Sequence, residues 1–174
     1  KEGKRKKTAV NSVKVLKICT QINAELEQRQ KVFVLIRMVE YINIGKRPSE
    51  QEIEFVETVA DVFNIPAEEL KDITAFVNCT KENIPDSPKV LIINSAESLS
   101  DVKSNKHIQH ETLGCCLGIY HVESVNMYVL QYFGTDELLL NGQIIDPKRI
   151  YILTQGSSLR SSKVSPIYYS DIIS

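Results

Sequence analysis

The sequence has no apolar run long enough to cross a bilayer. Its continuous apolar stretches, such as Val32 to Ile36 and Val90 to Ile93, stop after four or five residues, whereas a spanning helix needs about 20. Nothing in the opening residues resembles a secretory leader: Lys1 to Lys7 is basic, but no continuous apolar segment follows it. The seven glycines are scattered and none makes a phosphate-cradling G-x-x-x-x-G-K-[ST], so no nucleotide loop lies in this stretch. G-x-S-x-G and H-E-x-x-H are equally lacking. Charge of one sign is scarce, since the net charge is −1; no global field recruits nucleic acid or an anionic surface. The four cysteines, Cys19, Cys79, Cys115 and Cys116, show no disulfide rhythm, and free thiols in a reducing cytoplasm are expected.

What is present changes character once, at Asn83-Ile84-Pro85-Asp86-Ser87-Pro88. Before that point apolar residues recur at helical spacing; after it they form short β-branched and aromatic runs broken by turn residues. At 174 residues and 43% hydrophobic, the chain can bury one or two modest cores. The expected order is therefore α then β: a helical module over 1–82, a linker over 83–88, and a β module over 89–174. The chain opens without Met and stops at Asp171-Ile172-Ile173-Ser174 inside an apolar pattern, which suggests a piece of something larger.

In the helical half, Val10, Val13, Leu16, Ile18 and Ile22 predict an amphipathic helix to about Leu26. A second helix, over about 28–42, carries an apolar set too broad for one stripe and is expected to be the central one. Ser49 with Glu52 three residues on forms a capping box, in which each side chain satisfies an orphan backbone N–H of the next helix. Asn64-Ile65-Pro66 ends that helix, and Pro66, with Glu68 and Glu69 behind it, starts the last one as its first helical residue. The run Tyr41-Ile42-Asn43-Ile44-Gly45-Lys46-Arg47-Pro48-Ser49-Glu50-Gln51-Glu52-Ile53-Glu54-Phe55-Val56, with Ala60 to Ile65 after it, resembles the helix–turn–helix core of the TerB-like domains of tellurite-resistance proteins, over about 30–78. The resemblance implies a helical bundle lacking its first helices and, in the family, acidic cation ligands near the turn. Here those positions carry Asn43, Lys46 and Arg47; hard cations need clustered anionic oxygens, so no metal is expected. The acidic run from Glu50 to Asp72 is either a solvated face or a docking surface for a basic partner. The basic opening, Lys1 to Lys7, has no interleaved aromatics for base stacking and is expected to be a basic linker or frayed helix start, with anionic headgroups as a further candidate contact.

In the second half, strands are expected over 89–93, 107–111, 115–123, 125–133, 148–154 and 164–169. Leu138-Leu139-Leu140-Asn141-Gly142-Gln143-Ile144-Ile145 predicts a hairpin, because Asn-Gly tolerates the positive φ of a two-residue turn. Gln155 to Ser158 is expected as a turn, and Pro166 as an edge or bulge. Strands at this spacing indicate a sandwich or barrel. The Asn-Gly hairpin, then Tyr151-Ile152-Leu153, then Gly156-Ser157-Ser158-Leu159-Arg160, resembles the end of a forkhead-associated domain, an antiparallel β-sandwich. Asn141 and Gly142 match the family; its upstream Gly-Arg and Ser-x-x-His patterns have no counterpart, which implies a divergent fold kept for packing or docking. A TerB-like segment followed by this β module and a Pro-Ile-Tyr-Tyr-Ser-Asp-Ile ending resembles the N-terminal region of large bacterial ATP-binding cassette proteins. That resemblance implies a non-catalytic regulatory or docking region on the cytoplasmic side of the inner membrane, not itself inserted in it. Its partners would be the nucleotide-binding and membrane domains of the same chain, or another protein; ATP and Mg would belong only to the downstream domain. The alternative is a free-standing phosphopeptide or stress-response adaptor.

Three constellations remain. Asn141, Ser157, Ser158 and Arg160 form the candidate anion or phosphopeptide contact, since turn N–H groups and a planar guanidinium suit phosphate. His107, His110, Cys115 and Cys116 invite a zinc reading, but the two histidines fall on opposite faces of a strand, as do the two cysteines. His121 with Asp136 or Asp146 and a serine would be needed for a hydrolase triad, a combination that any chain with three histidines permits. No catalytic residue is assigned.

Overall fold

The computed structural model describes the backbone of residues 2–174 and side chains from Val13 onward. The side chains of the basic opening therefore lie outside the described residues. The chain forms two compact units, Lys1–Asn78 and Cys79–Ser174.

The first unit contains α1 (Glu2–Glu25), α2 (Gln28–Ile42), α3 (Glu50–Val62) and α4 (Ala67–Val77). Val32, Leu35, Ile36 and Val39 of α2 are buried, and α2 packs on both α3 and α4, as its broad apolar set predicts. Val59, Phe63, Ile73 and Phe76 complete this core. The capping box forms as expected. Ser49 Oγ accepts from Glu52 N at 3.2 Å, and Glu52 Oε1 accepts from Ser49 N at 3.1 Å and from Lys46 Nζ at 2.9 Å. Pro66 differs from expectation: it is the residue before the first turn of α4, with ψ 145. Its extended ψ lets the chain turn out of Asn64, which holds φ 54.

The second unit contains β1 (Val90–Asn94), β2 (Lys106–Gln109), β3 (Leu117–Val122), β4 (Met127–Tyr132), β5 (Leu139–Leu140), β6 (Gln143–Ile144), β7 (Ile150–Leu153), β8 (Ser158–Arg160), β9 (Ile167–Tyr168) and α5 (Tyr169–Ile173). Five strands form one sheet in the order β2-β1-β3-β4-β7, and four form another in the order β6-β5-β8-β9. Alternate residues of the large sheet (Ile93, Leu117, Ile119, Leu130) share one buried cluster with Leu140, Leu159 and Ile167 of the small one, the arrangement of two sheets closed on a common core. The expected all-antiparallel pattern is corrected at one edge, where β1 and β2 run parallel. The polar connection between them is long enough to bring the chain back to the same end of the sheet. β1 is buried along Val90–Ile93, which accounts for its unbroken apolar run.

Other expectations shift. Ser158 to Arg160 is a strand rather than the tail of a turn, and the last strand shrinks to two residues before α5. The expected linker over 83–88 belongs to the β unit. Ile84 is buried, Asp86 Oδ1 accepts from Ser104 N at 2.6 Å and Ser104 Oγ at 2.9 Å, and Asn105 Nδ2 donates to Pro85 O at 2.8 Å.

These hydrogen bonds to Ser104 hold the Asp86 carboxyl below its ordinary value of 3.8. A depressed carboxylate contributes stability that is complete above the unfolded value and is lost as pH falls through the folded one. Asp86→Asn removes that titration. Urea unfolding across the acid range is expected to show a wild-type advantage near neutral pH that closes as pH drops below 3.8; a gap independent of pH would refute the assignment.

Candidate docking surface

The Asn-Gly hairpin forms as its chemistry dictates. Asn141 and Gly142 hold φ 52 and 82 and join β5 to β6. Asn141 then does something the local pattern did not announce. Its N donates to Ser158 O at 3.0 Å, and its Oδ1 accepts from Ser158 N at 3.0 Å. The hairpin is thereby clamped to β8. Ser157 is also internal, at 3% exposure: its Oγ accepts from Thr154 N at 2.9 Å, and Ser157 N donates to Thr154 O at 2.9 Å. Gly156, at φ 86, closes this turn. Two of the four predicted contact residues therefore spend their side chains on the fold.

Ser158 and Arg160 differ. Two apart on β8, they share a face, and Arg160 Nη2 lies 3.4 Å from Ser158 Oγ. Pairing sets the rest of that face: Leu139 stands opposite both Arg160 and Ile144, and Tyr168 stands opposite Ser158. The intervening Leu140, Leu159 and Ile167 point into the core. The outer face of the small sheet thus carries Ile144 at 68% exposure, Tyr168 at 48%, the half-buried Leu139, and Arg160. Leu139, Ile144 and Tyr168 were not singled out from the sequence. The alternation polar–Leu159–polar in β8 is the signal that would have found them, but a turn was expected there.

The remaining constellations come apart. His107 Nε2 lies 2.7 Å from Asn94 Oδ1, while His110 Nε2 lies 3.2 Å from Ser165 Oγ and His110 Nδ1 lies 3.3 Å from Thr112 Oγ1. Among the described residues no three His, Cys, Asp or Glu side chains are grouped to hold a metal. His121 is not joined to an aspartate: its Nε2 lies 2.8 Å from Asn126 Oδ1 and its ring stacks on Tyr128 at 4.3 Å. Asp146 Oδ1 accepts from Lys148 N at 2.9 Å. At the turn between α2 and α3, Asn43 Nδ2 donates to Val39 O at 2.7 Å and Lys46 pairs with Glu52 at 2.9 Å. Among the described residues no helix is long and apolar enough to cross a membrane. No protein family, curated protein or solved structure matches the chain.

Burial pushes the Cys79 thiol up to about 11, and burial together with the neighbouring Cys115 pushes Cys116 up to about 12. Thiols held protonated are poor nucleophiles. At mildly alkaline pH, alkylation followed by mass spectrometry is expected to mark Cys79 about a hundredfold and Cys116 about a thousandfold more slowly than a free cysteine, because the thiolate fraction falls tenfold for each unit by which the pKa rises. Labelling at the free rate in the native protein would refute the buried placement.

Proposed function

We propose that this chain is a non-catalytic docking and regulatory region of an ATP-binding cassette protein, working on the cytoplasmic side of the inner membrane. The observation that supports the docking part of the reading is the outer face of the small sheet; the assignment to an ATP-binding cassette protein rests on the sequence resemblance. That face combines an aromatic, two aliphatic side chains and one guanidinium on strands that Asn141 ties together through two hydrogen bonds to Ser158. Tyr and Arg dominate binding energy at protein interfaces, and a surface fixed before contact loses less conformational freedom on docking. In this reading the face engages the nucleotide-binding domain or the membrane part of the same protein, and ATP and Mg belong to that downstream domain.

The genomic reading frame tests the proposal directly. A glycine-rich phosphate loop within about 100–150 residues of Ser174, one domain's length, followed by membrane spans, is the expected finding. A stop codon soon after Ser174 would overturn it. With the loop present, Tyr168→Ala together with Arg160→Glu is expected to change the ATPase rate of the full-length protein at least threefold while leaving nucleotide affinity intact; an unchanged rate would remove the coupling role from this face.

A second reading, a phosphopeptide adaptor, is favoured by the Arg160 guanidinium beside the Ser158 hydroxyl. Calorimetry with phosphothreonine peptides separates the two. The adaptor requires binding that Arg160→Ala abolishes, and no binding by the wild-type chain ends it.

A further inference from the structure

The helical unit carries a groove that the β unit plays no part in forming. It lies between the end of α2, α3 and α4, and its volume is about 780 Å³. Helical spacing explains its shape. From α3 it takes Ile53, Val56, Glu57, Ala60 and Asp61, positions i, i+3, i+4, i+7 and i+8 of one stripe. From α4 it takes Ala67, Leu70, Lys71, Thr74 and Ala75 in the same rhythm. The floor is buried and apolar at Val39, Val56, Ala60 and Ile65. Ile53, by contrast, keeps 42% of its surface exposed on the wall.

Length and volume both match a helix. The α4 wall from Ala67 to Asn78 runs for about three turns, roughly 16 Å at 1.5 Å per residue. Half the cylinder of a three-turn helix about 10 Å across is roughly 650 Å³, close to the space available. Charge then states what kind of helix. Between residues 50 and 78 the chain has eight acidic residues and one lysine, Lys71. On α3, Glu50, Glu54, Glu57 and Asp61 recur at steps of four, three and four, forming one anionic row. Glu57 and Asp61 of that row line the groove itself, against the single Lys71 of the α4 wall, so the lining keeps an anionic excess on the α3 side. Lys46, four residues before the start of α3, is paired with Glu52 at 2.9 Å.

We propose that this groove receives a basic amphipathic helix of a partner protein, its apolar stripe on the floor and its lysines or arginines against the α3 row. The inference rests on the helical unit alone and does not depend on the reading of the β unit. Apolar contact would supply most of the affinity and the acidic row the direction and partner choice.

The test uses the whole 174-residue chain and a fluorescent Leu–Lys peptide of about 18 residues with leucines at helical spacing, long enough to hold a helix on docking. Anisotropy titration is expected to give one saturable site that weakens as salt rises. A peptide of the same composition with scrambled order, and a Leu–Glu counterpart, should bind at least tenfold more weakly. Glu57→Lys with Asp61→Lys should weaken the Leu–Lys peptide at least tenfold. Ala75→Trp, which fills the groove from an exposed helix position, should do the same; circular dichroism checks both folds, and either variant alone suffices if the other fails to fold. Equal binding of the scrambled peptide, or affinity untouched by the folded variants, would overturn the proposal. So would sedimentation showing a dimer that the Ala75→Trp variant dissolves, because the occupant would then be a second copy. None of these outcomes touches the reading-frame test, so the two proposals fail separately.

Discussion

The β unit depends on the burial of one central surface, the alternate residues of β1, β3 and β4 that face the small sheet. Ile93, Leu117, Ile119 and Leu130 are at most 1% exposed, and each such side chain removed from water contributes about 1.5–3 kcal/mol. Two-residue strands such as β5, β6 and β9 would not persist alone. They exist because Leu140, Leu159 and Ile167 are needed to cover that surface. Strict alternation then forces their neighbours outward, so the candidate docking face is a geometric consequence of the core.

How much of this was legible follows from whether the signal is local. Helix periodicity and caps are local, which is why the range of α2 and the Ser49 box were read correctly. The Asn-Gly turn is local as well, since positive φ at two consecutive positions admits few residues. The direction of β2 relative to β1 is not: nothing in Lys106 to Gln109 records which way its neighbour runs. Nor does the run Gly156-Ser157-Ser158 announce a strand, because β8 is defined by its partners β5 and β9 rather than by its own three residues. The segment over 83–88 misled for the opposite reason. Its prolines and polar residues have linker chemistry, yet Asp86 Oδ1 and Pro85 O accept from Ser104 N and Asn105 Nδ2, which ties the segment to the chain entering β2.

The candidate site shows the same division. Residue types suited to an anion contact were visible as Asn141, Ser157, Ser158 and Arg160, but type does not disclose which groups the fold has already engaged. A buried serine hydroxyl that accepts a backbone N–H cannot be withdrawn without leaving that donor unsatisfied, at about 1–3 kcal/mol. Ser157 is therefore committed to Thr154. Arg160, exposed at a strand end, carries no such commitment beyond its long contact with Ser158.

The net charge of −1 conceals the feature that most distinguishes the helical unit. Residues 1–47 hold twelve basic and four acidic side chains, whereas 50–78 hold eight acidic and one basic. Exposed charges further apart than about 10 Å are largely screened at 0.1 M ionic strength, so the whole-chain sum says little about what a partner meets at short range. A helix entering beside α3 would meet Glu57 and Asp61 at contact, inside that length and against an apolar floor where water is scarce. There the attraction is stronger than in open solvent, and reversed charges would be repelled by the same row. The acidic run is in this respect unlike a merely solvated face: two of its members border the one kind of surface, an open apolar groove, on which a charge pattern can select among helices that would otherwise bind alike.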